Sequence, residues 1–319
     1  MRISVLGAGR WGAFLARYAW SIGHKVSLWG RCGSVDFQEL QNNRVNDYLQ
    51  LPEEILLTDS LATAVAHGEI ILIAIPSQQL RSLARQLATL RITRKILVLC
   101  MKGIEIDSGK RLSQVVKEEV QSPLDVAIWV GPGHVQDYMA GIPNCMVIGS
   151  ENISCTKMLV EALGSELIRL YYGQDIIGNE IGAAAKNVIG IAAGILDGLQ
   201  YSSLKGALMA RGAREIARLV RSMGGNELTV YGLSHLGDYS ATLFSPYSHN
   251  RAFGEGFVKG ECFTKLAEGV YTAKALHALA KRYELELPIC TAIYHTIYET
   301  RDPNQVLLDF FLRPVKFEF

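Results

Sequence analysis

The stretch Arg2-Ile3-Ser4-Val5-Leu6-Gly7-Ala8-Gly9-Arg10-Trp11-Gly12 decides the fold of this chain. An apolar, β-rich run leads without a gap into Gly7-x-Gly9-x-x-Gly12. The first glycine permits a tight turn, the second lets backbone approach a pyrophosphate, and the third lets a helix pack on a strand. With 30 glycines in 319 residues, that spacing arises somewhere by chance roughly one time in four, so its surroundings carry the inference. An amphipathic stretch, Gly12–Ile22, follows, and then a second β-rich run, Lys25–Trp29. A strand, a glycine turn, a helix and a strand in that order aim the helix N-terminus, with its free N–H groups, at a dinucleotide phosphate. The unit is read as a nicotinamide-dinucleotide site.

Outward from it the alternation continues. Further strands are expected at Ile70–Ile75, Ile96–Leu99, Val126–Val130 and Cys145–Ile148, with a helix at Gln78–Leu90. Such alternation implies right-handed crossovers and a mostly parallel, doubly wound sheet. Near Gly178 the pattern changes to helical periodicity, with helices expected at Asn179–Leu199, Lys205–Met223, Cys262–Tyr283 and Pro288–Glu299. The fold class is therefore α/β, a Rossmann-type domain over residues 1–177 followed by an all-helical substrate domain over 178–319. The cleft between two such domains is where a small substrate is expected.

Bulk properties exclude several classes. Hydrophobic residues make up 49% and charged residues 20%, too apolar for disorder. With 32 basic against 31 acidic residues there is no basic excess for a nucleic acid. Six scattered cysteines without a C-x-x-C pair read as free thiols in a reducing cytoplasm, not as a disulfide framework or a metal site. The apolar N-terminus is interrupted by three glycines in six residues, which argues against a signal peptide, and no membrane insertion is expected.

After the second strand comes Trp29-Gly30-Arg31, with the nearest acid, Asp36, five residues later. An acid at the strand end would bind a ribose hydroxyl, whereas Arg31 suits a 2′-phosphate. NADP(H) is thereby favoured, and NAD(H) stays open. A dehydrogenase also needs a group to take the hydroxyl proton. Lys102, in Cys100-Met101-Lys102-Gly103, follows a buried strand at the ligand-binding end of the sheet. Lys186 is the lone cation of a small-residue helix, Gly182–Ile189, where burial would lower its pKa; the competing reading is a snorkelling side chain. Gly237-Asp238 is a further polar feature, and the side chains of the cluster Ser248-His249-Asn250-Arg251 together could hold a phosphate or a polyol. Two other patterns are set aside. Ser202-Ser203-Leu204-Lys205 lacks the companion motifs of acyl-serine enzymes, and His235 with Asp238 lacks a third metal ligand.

Taken in order, GAGRWG, VSLWGR, AIPSQQLR, MKGIE, VGPGHV, GAAAKNVIGIAAGILDGL, YGLSHLGD, SHNRAFG and AEGVYTAKAL resemble the bacterial-type NAD(P)-dependent glycerol-3-phosphate dehydrogenase family over nearly the whole chain. The resemblance implies reversible reduction of dihydroxyacetone phosphate to sn-glycerol 3-phosphate, feeding phospholipid synthesis. It implies Lys186 as proton acceptor, with Lys102 and Asp238 as catalytic partners. It places Gly7, Gly9, Arg10, Trp11, Gly12, Arg31, Lys102, Val135, His249, Leu266 and Glu268 on coenzyme contacts. Lys102, Gly131, Gly133, Asp238, Ser248, His249, Asn250 and Arg251 fall on the substrate side.

Two departures stand out. The family usually has Ser-Gly-Pro-Ser/Thr-Phe-Ala where this chain has Val130-Gly131-Pro132-Gly133-His134-Val135, which removes a hydroxyl. It usually has Ser-Arg-Asn where this chain has Ser248-His249-Asn250, and Arg251 is the candidate to compensate. Both touch substrate recognition and leave the lysines intact. Rival readings are a paralogue acting on another small phosphorylated or polyhydroxylated ketone, and a catalytically silent nucleotide sensor. The expected partner is a small phosphorylated substrate, with no metal; a homodimer is compatible with the sequence.

Overall fold

The computed structural model describes residues 1–90, 92–315 and 317–318; Phe319, the expected end of the helical domain, lies outside them. The strands are β1 (Arg2–Leu6), β2 (Lys25–Trp29), β3 (Leu56–Thr58), β4 (Ile70–Ile73), β5 (Ile96–Leu99), β6 (Asp125–Val130), β7 (Asn144–Ser150) and β8 (Ile168–Gly173). Among them lie helices α1 (Arg10–Ser21), α2 (Val35–Asn43), α3 (Leu61–His67), α4 (Leu80–Ala88), α5 (Leu112–Glu119), α6 (Val135–Met139) and α7 (Ile153–Leu163). The remainder is helical: α8 (Ile176–Gly198), α9 (Lys205–Ser222), α10 (His249–Lys259), α11 (Glu268–Arg282), α12 (Pro288–Tyr298) and α13 (Pro303–Phe311).

The sheet order is β3-β2-β1-β4-β5-β6-β7-β8. Strands β1 to β6 pair in parallel, while β7 runs antiparallel to β6 and parallel to β8. The central strands are largely apolar because helices cover both faces, and every residue of β4 is buried. One core packs α1 and α7 on the sheet through Phe14, Tyr18 and Leu159; the other packs α3 to α5 through Val65, Leu83 and Val115. The order reverses beside β1, so the carboxyl ends of β1 and β4 form the crevice in which such folds hold ligands.

The helical part is organised around α8, buried without interruption from Gly178 to Leu196. It is the one helix among the described residues long and apolar enough to cross a membrane, and 89% of its apolar window is buried inside the fold. It is a core helix. A Cβ on Gly194 would strike the Arg251 carbonyl, and one on Gly254 would strike the Ile191 carbonyl. The α8 and α10 backbones therefore touch directly along a glycine seam.

Two clasps tie the sheet to the helices. Glu180 on α8 accepts from Arg111 Nη1 at 2.5 Å, Ser113 N at 2.8 Å and Ser113 Oγ at 2.7 Å, at the start of α5. Glu268, the first residue of α11, accepts from Ser77 N at 2.7 Å and Ser77 Oγ at 2.6 Å, after β4.

Several elements differ from the sequence expectation. The strand expected at Ile70–Ile75 ends at Ile73, since Pro76 three residues on cannot donate to a ladder. The helix expected at Cys262–Tyr283 begins only at Glu268, because Gly260, at φ +70°, closes α10 and an extended segment follows. The reading also missed β3, too short to show a period, and α13, whose Asp302 cap accepts from Asn304 N and Gln305 N. It missed β8 as well, although its first four residues alternate buried and exposed.

Candidate active site

The glycine turn is built for a close backbone approach. Gly7 sits at φ +116°, and a Cβ there would collide with the Ala74 carbonyl of the neighbouring β4 crossover. A Cβ on Gly12 would collide with the Gly7 carbonyl. Gly9 is the N-cap of α1 and offers no side chain, so the first N–H groups of that helix keep their hydrogen-bonding capacity for an anion. Residues Gly7 to Gly12 thus fit a dinucleotide pyrophosphate.

At the β2–α2 turn Arg31 is exposed, as the 2′-phosphate reading requires. Asp36 has returned to the same region, with a carboxylate oxygen 3.9 Å from where a Gly9 Cβ would stand. Sequence distance had separated this acid from the glycine turn; the first turn of α2 brings it back. An exposed arginine and an acid thus both lie in this region, and the geometry favours neither coenzyme.

Three residues from three distant segments meet at the carboxyl end of the sheet. Lys102 Nζ and Lys186 Nζ each lie 2.7 Å from the same oxygen, Asp238 Oδ2. Lys102 also donates to the Gly131 carbonyl at 2.6 Å, and Lys186 Nζ lies 2.7 Å from Thr242 Oγ1. Asp238 and Lys186 are buried, while Lys102 is partly open to solvent. Burial drives the Lys186 pKa down to about 7; the Asp238 carboxylate opposes that shift, and the Lys102 ammonium reinforces it. An amine poised near neutrality can take or give a proton.

The loop from Gly131 to Val135 faces this cluster. Gly133 is at φ +139°, and a Cβ there would run into the ring of Tyr138. Tyr138 donates to the Pro132 carbonyl at 3.1 Å and lies 6.3 Å from Trp11, which stacks on Phe14. The space of the missing hydroxyl is thus filled by an aromatic ring that reaches back to the coenzyme helix. Val135 is buried at the start of α6. His134 Nε2 lies 2.7 Å from the Ala241 carbonyl, next to Thr242, and burial holds its pKa below the usual histidine range.

Across the cleft, Ser248 caps α10 by accepting from Arg251 N at 3.3 Å. Asn250 donates to Asn187 Oδ1 at 3.0 Å and accepts from Gly269 N at 2.9 Å, which joins α8, α10 and α11. His249 Nδ1 lies 3.2 Å from the Leu266 carbonyl, and its pKa is lowered chiefly by burial and then by the charge of Arg10. Arg10 itself lies over the Tyr48 ring at 5.7 Å. The expectation that Arg251 compensates for His249 is corrected: its Nη1 pairs with Asp197 Oδ2 at 2.9 Å and Glu255 Oε2 at 2.8 Å, and its Nε with the Ser245 carbonyl. That guanidinium is engaged by structure and is not available to a substrate. Glu268 is engaged in the clasp to Ser77, where burial raises its pKa.

The sequence reading missed Thr242 and His134 as members of the cluster. Thr242 was within reach, since it lies four residues after Asp238 in a helical turn and so shares its face. His134 gave no local signal, because its partner carbonyl is 107 residues away. Among the described residues no group of three or more metal-ligating side chains occurs.

Comparison with known proteins agrees along the whole chain. Residues 2–156 match the family model described as NAD-dependent glycerol-3-phosphate dehydrogenase N-terminus, and residues 175–308 match its C-terminus. A glycerol-3-phosphate dehydrogenase [NAD(P)+] of Chlorobium phaeobacteroides (strain BS1) is 37% identical, covering 100% of this chain and 99% of its own length. Its counterpart in Pelodictyon phaeoclathratiforme (strain DSM 5477 / BU-1) is 35% identical over the same shares. The crystal structure of glycerol-3-phosphate dehydrogenase from Coxiella burnetii superposes with a TM-score of 0.92 at 30% identity, covering 98% of each chain.

Proposed function

This chain belongs to the NAD-dependent glycerol-3-phosphate dehydrogenase family, and on that premise we propose that Lys186 is the acid–base group of its reaction. The protein is an NAD(P)-dependent oxidoreductase interconverting dihydroxyacetone phosphate and sn-glycerol 3-phosphate. The observation that carries the role of Lys186 is the sharing of one Asp238 oxygen by two lysines, one of them buried with a pKa near 7.

In the oxidative direction neutral Lys186 takes the proton of the C2 hydroxyl; in the reductive direction its ammonium form returns it. The nicotinamide, when bound, accepts or supplies the hydride. Asp238 fixes both amines through Oδ2, and Thr242 orients the Lys186 lone pair. Lys102, held between Asp238 and the Gly131 carbonyl, stabilises negative charge developing on the substrate oxygen. With both amines protonated the cluster carries one more positive than negative charge, which suits an anionic phosphate ester. Gly7, Gly9 and Gly12 with the start of α1 hold the pyrophosphate, and His249, Leu266 and Arg10 close the coenzyme side. We take residues 1–177 as the coenzyme domain and 178–319 as the substrate domain. The cytoplasm is the proposed location, on the strength of six unpaired cysteines, and a homodimer is the assembly to test. Nothing observed favours a different ketone or a silent sensor.

The test is initial-rate NADPH and NADH oxidation with dihydroxyacetone phosphate and a panel of ketoses and ketose phosphates. Turnover on dihydroxyacetone phosphate well above the rest is expected, and near-zero activity on it would sink the assignment. For coenzyme choice, Arg31→Asp should raise KM for NADPH about tenfold while leaving NADH nearly unchanged. Equal effects on both would remove Arg31 from 2′-phosphate recognition.

A further inference from the structure

A cavity of about 510 Å³ opens within the helical domain, away from the acid–base cluster. Its walls are the apolar stripes of four helices, represented by Ile195 on α8, Leu208 on α9, Ile293 on α12 and Phe310 on α13. Ile195 and Ile293 are buried in the core of the domain, and Leu208 and Phe310 pack half-buried against it. The volume falls in the range of small-ligand pockets, and the lining is predominantly apolar, as those pockets are.

The α9 wall changes character along its length, from Leu208 to Arg211 and Arg218 at helical spacing. Arg211 Nη1 donates to the Glu318 carbonyl at 3.4 Å, and Arg218 Nη2 to the Glu286 carbonyl at 2.9 Å. Both partners are backbone carbonyls, and the Arg218 charge also acts on the buried Glu215 carboxyl. Of the acids nearby, Glu215 accepts from Ile289 N and Cys290 N at 2.9 Å each, and Glu286 pairs with Arg313 at 2.9 Å. Glu318 also lines the cavity, so that among the described residues four arginines (Arg211, Arg214, Arg218 and Arg313) face three glutamates there.

A partly open apolar volume with guanidinium groups at its edge has the chemistry of an amphiphile site. The apolar walls take a chain, and the planar fork of an arginine takes a carboxylate. We infer that this cavity binds a single-chain fatty carboxylate, its chain among the four helices and its head group at Arg211 and Arg218. A flat self-association face would not need a concave volume of this size.

The inference is tested by calorimetric titration of the full chain with octanoate, decanoate and dodecanoate below their micelle concentrations. One saturable site is expected, with affinity rising about three- to fourfold per added methylene. Ala292→Trp, which places a ring in the cavity, should weaken decanoate at least twentyfold while turnover on dihydroxyacetone phosphate stays intact. Should that variant fail to fold, Arg211→Glu on the exposed side of α9 serves in its place. It should weaken decanoate about tenfold and leave 1-decanol unchanged. Absence of saturable binding, or binding indifferent to both substitutions, overturns the proposal. A dimer in sedimentation that Ala292→Trp splits, with no carboxylate bound, overturns it in favour of a second copy of the chain.

Discussion

Two buried charge clusters join the same two halves of the molecule, and they differ in how their charges balance. At the start of α5 one cation, Arg111, meets one anion, Glu180, and Ser113 supplies two further donors to that carboxylate. At the carboxyl end of the sheet two cations, Lys102 and Lys186, share a single oxygen of one anion, Asp238. The balanced cluster is a clasp. The unbalanced one cannot hold both amines charged without strain, and burial decides which of them gives way: Lys186 falls to about 7. A surplus of one charge separates a structural pair from an acid–base centre.

That contrast can be broken most directly at Lys186. Lys186→Ala should lower kcat by about 10² to 10⁴, the usual contribution of a general base, in both directions of the reaction. Initial rates near those of the unaltered protein would move the base elsewhere. The clasp should answer to a different measurement. Glu180→Ala strands the Arg111 charge and should cost about 3–5 kcal/mol in urea unfolding, while the midpoint of the pH–rate profile stays near 7. A moved midpoint would mean that the two clusters are coupled.

The pH profile sharpens the comparison further. Oxidation needs neutral Lys186, so its rate should fall about tenfold per pH unit below 7 and level off above about 8. Reduction needs the ammonium form and should decline above 7. In Lys102→Met the second cation is gone, one of the forces lowering the Lys186 pKa disappears, and both midpoints should move to higher pH. An unmoved midpoint would leave burial as the sole cause. The smallest effect is expected at the other clasp, where Ser77→Ala removes one of the two hydrogen bonds to Glu268. It should cost about 1 kcal/mol of stability by thermal unfolding with no change of midpoint.

The same two regions show what a sequence discloses. The coenzyme turn was legible because strand, glycines and helix start are contiguous, and each glycine has a separate local reason to be there. The acid–base centre draws on Lys102, Lys186 and Asp238, each more than fifty residues from the next. Lys102 could be placed from its strand end and Lys186 from its isolation on an apolar helix. Their partnership came only from the family resemblance, and their meeting on one oxygen only from the structure. Arg251 illustrates the opposite failure: its neighbour in sequence suggested a role that its ion pairs to Asp197 and Glu255 exclude. Gly133 reads in the sequence as a lost hydroxyl, and the ring that fills its place is five residues on and reachable only in three dimensions. Thr242 was recoverable by helical spacing from Asp238; β8 was recoverable by its alternation.

The glycine seam between α8 and α10 has a bearing on how this protein breathes. Where two backbones touch, neither helix can unwind without removing the surface against which the other packs. Amide deuterium exchange along both should therefore report one opening event, with matching protection, and not two. Asn187 on the first helix and Asn250 on the second, already joined at 3.0 Å, ride on that single unit. The substrate side of the site is in that sense built on one packed unit of two helices.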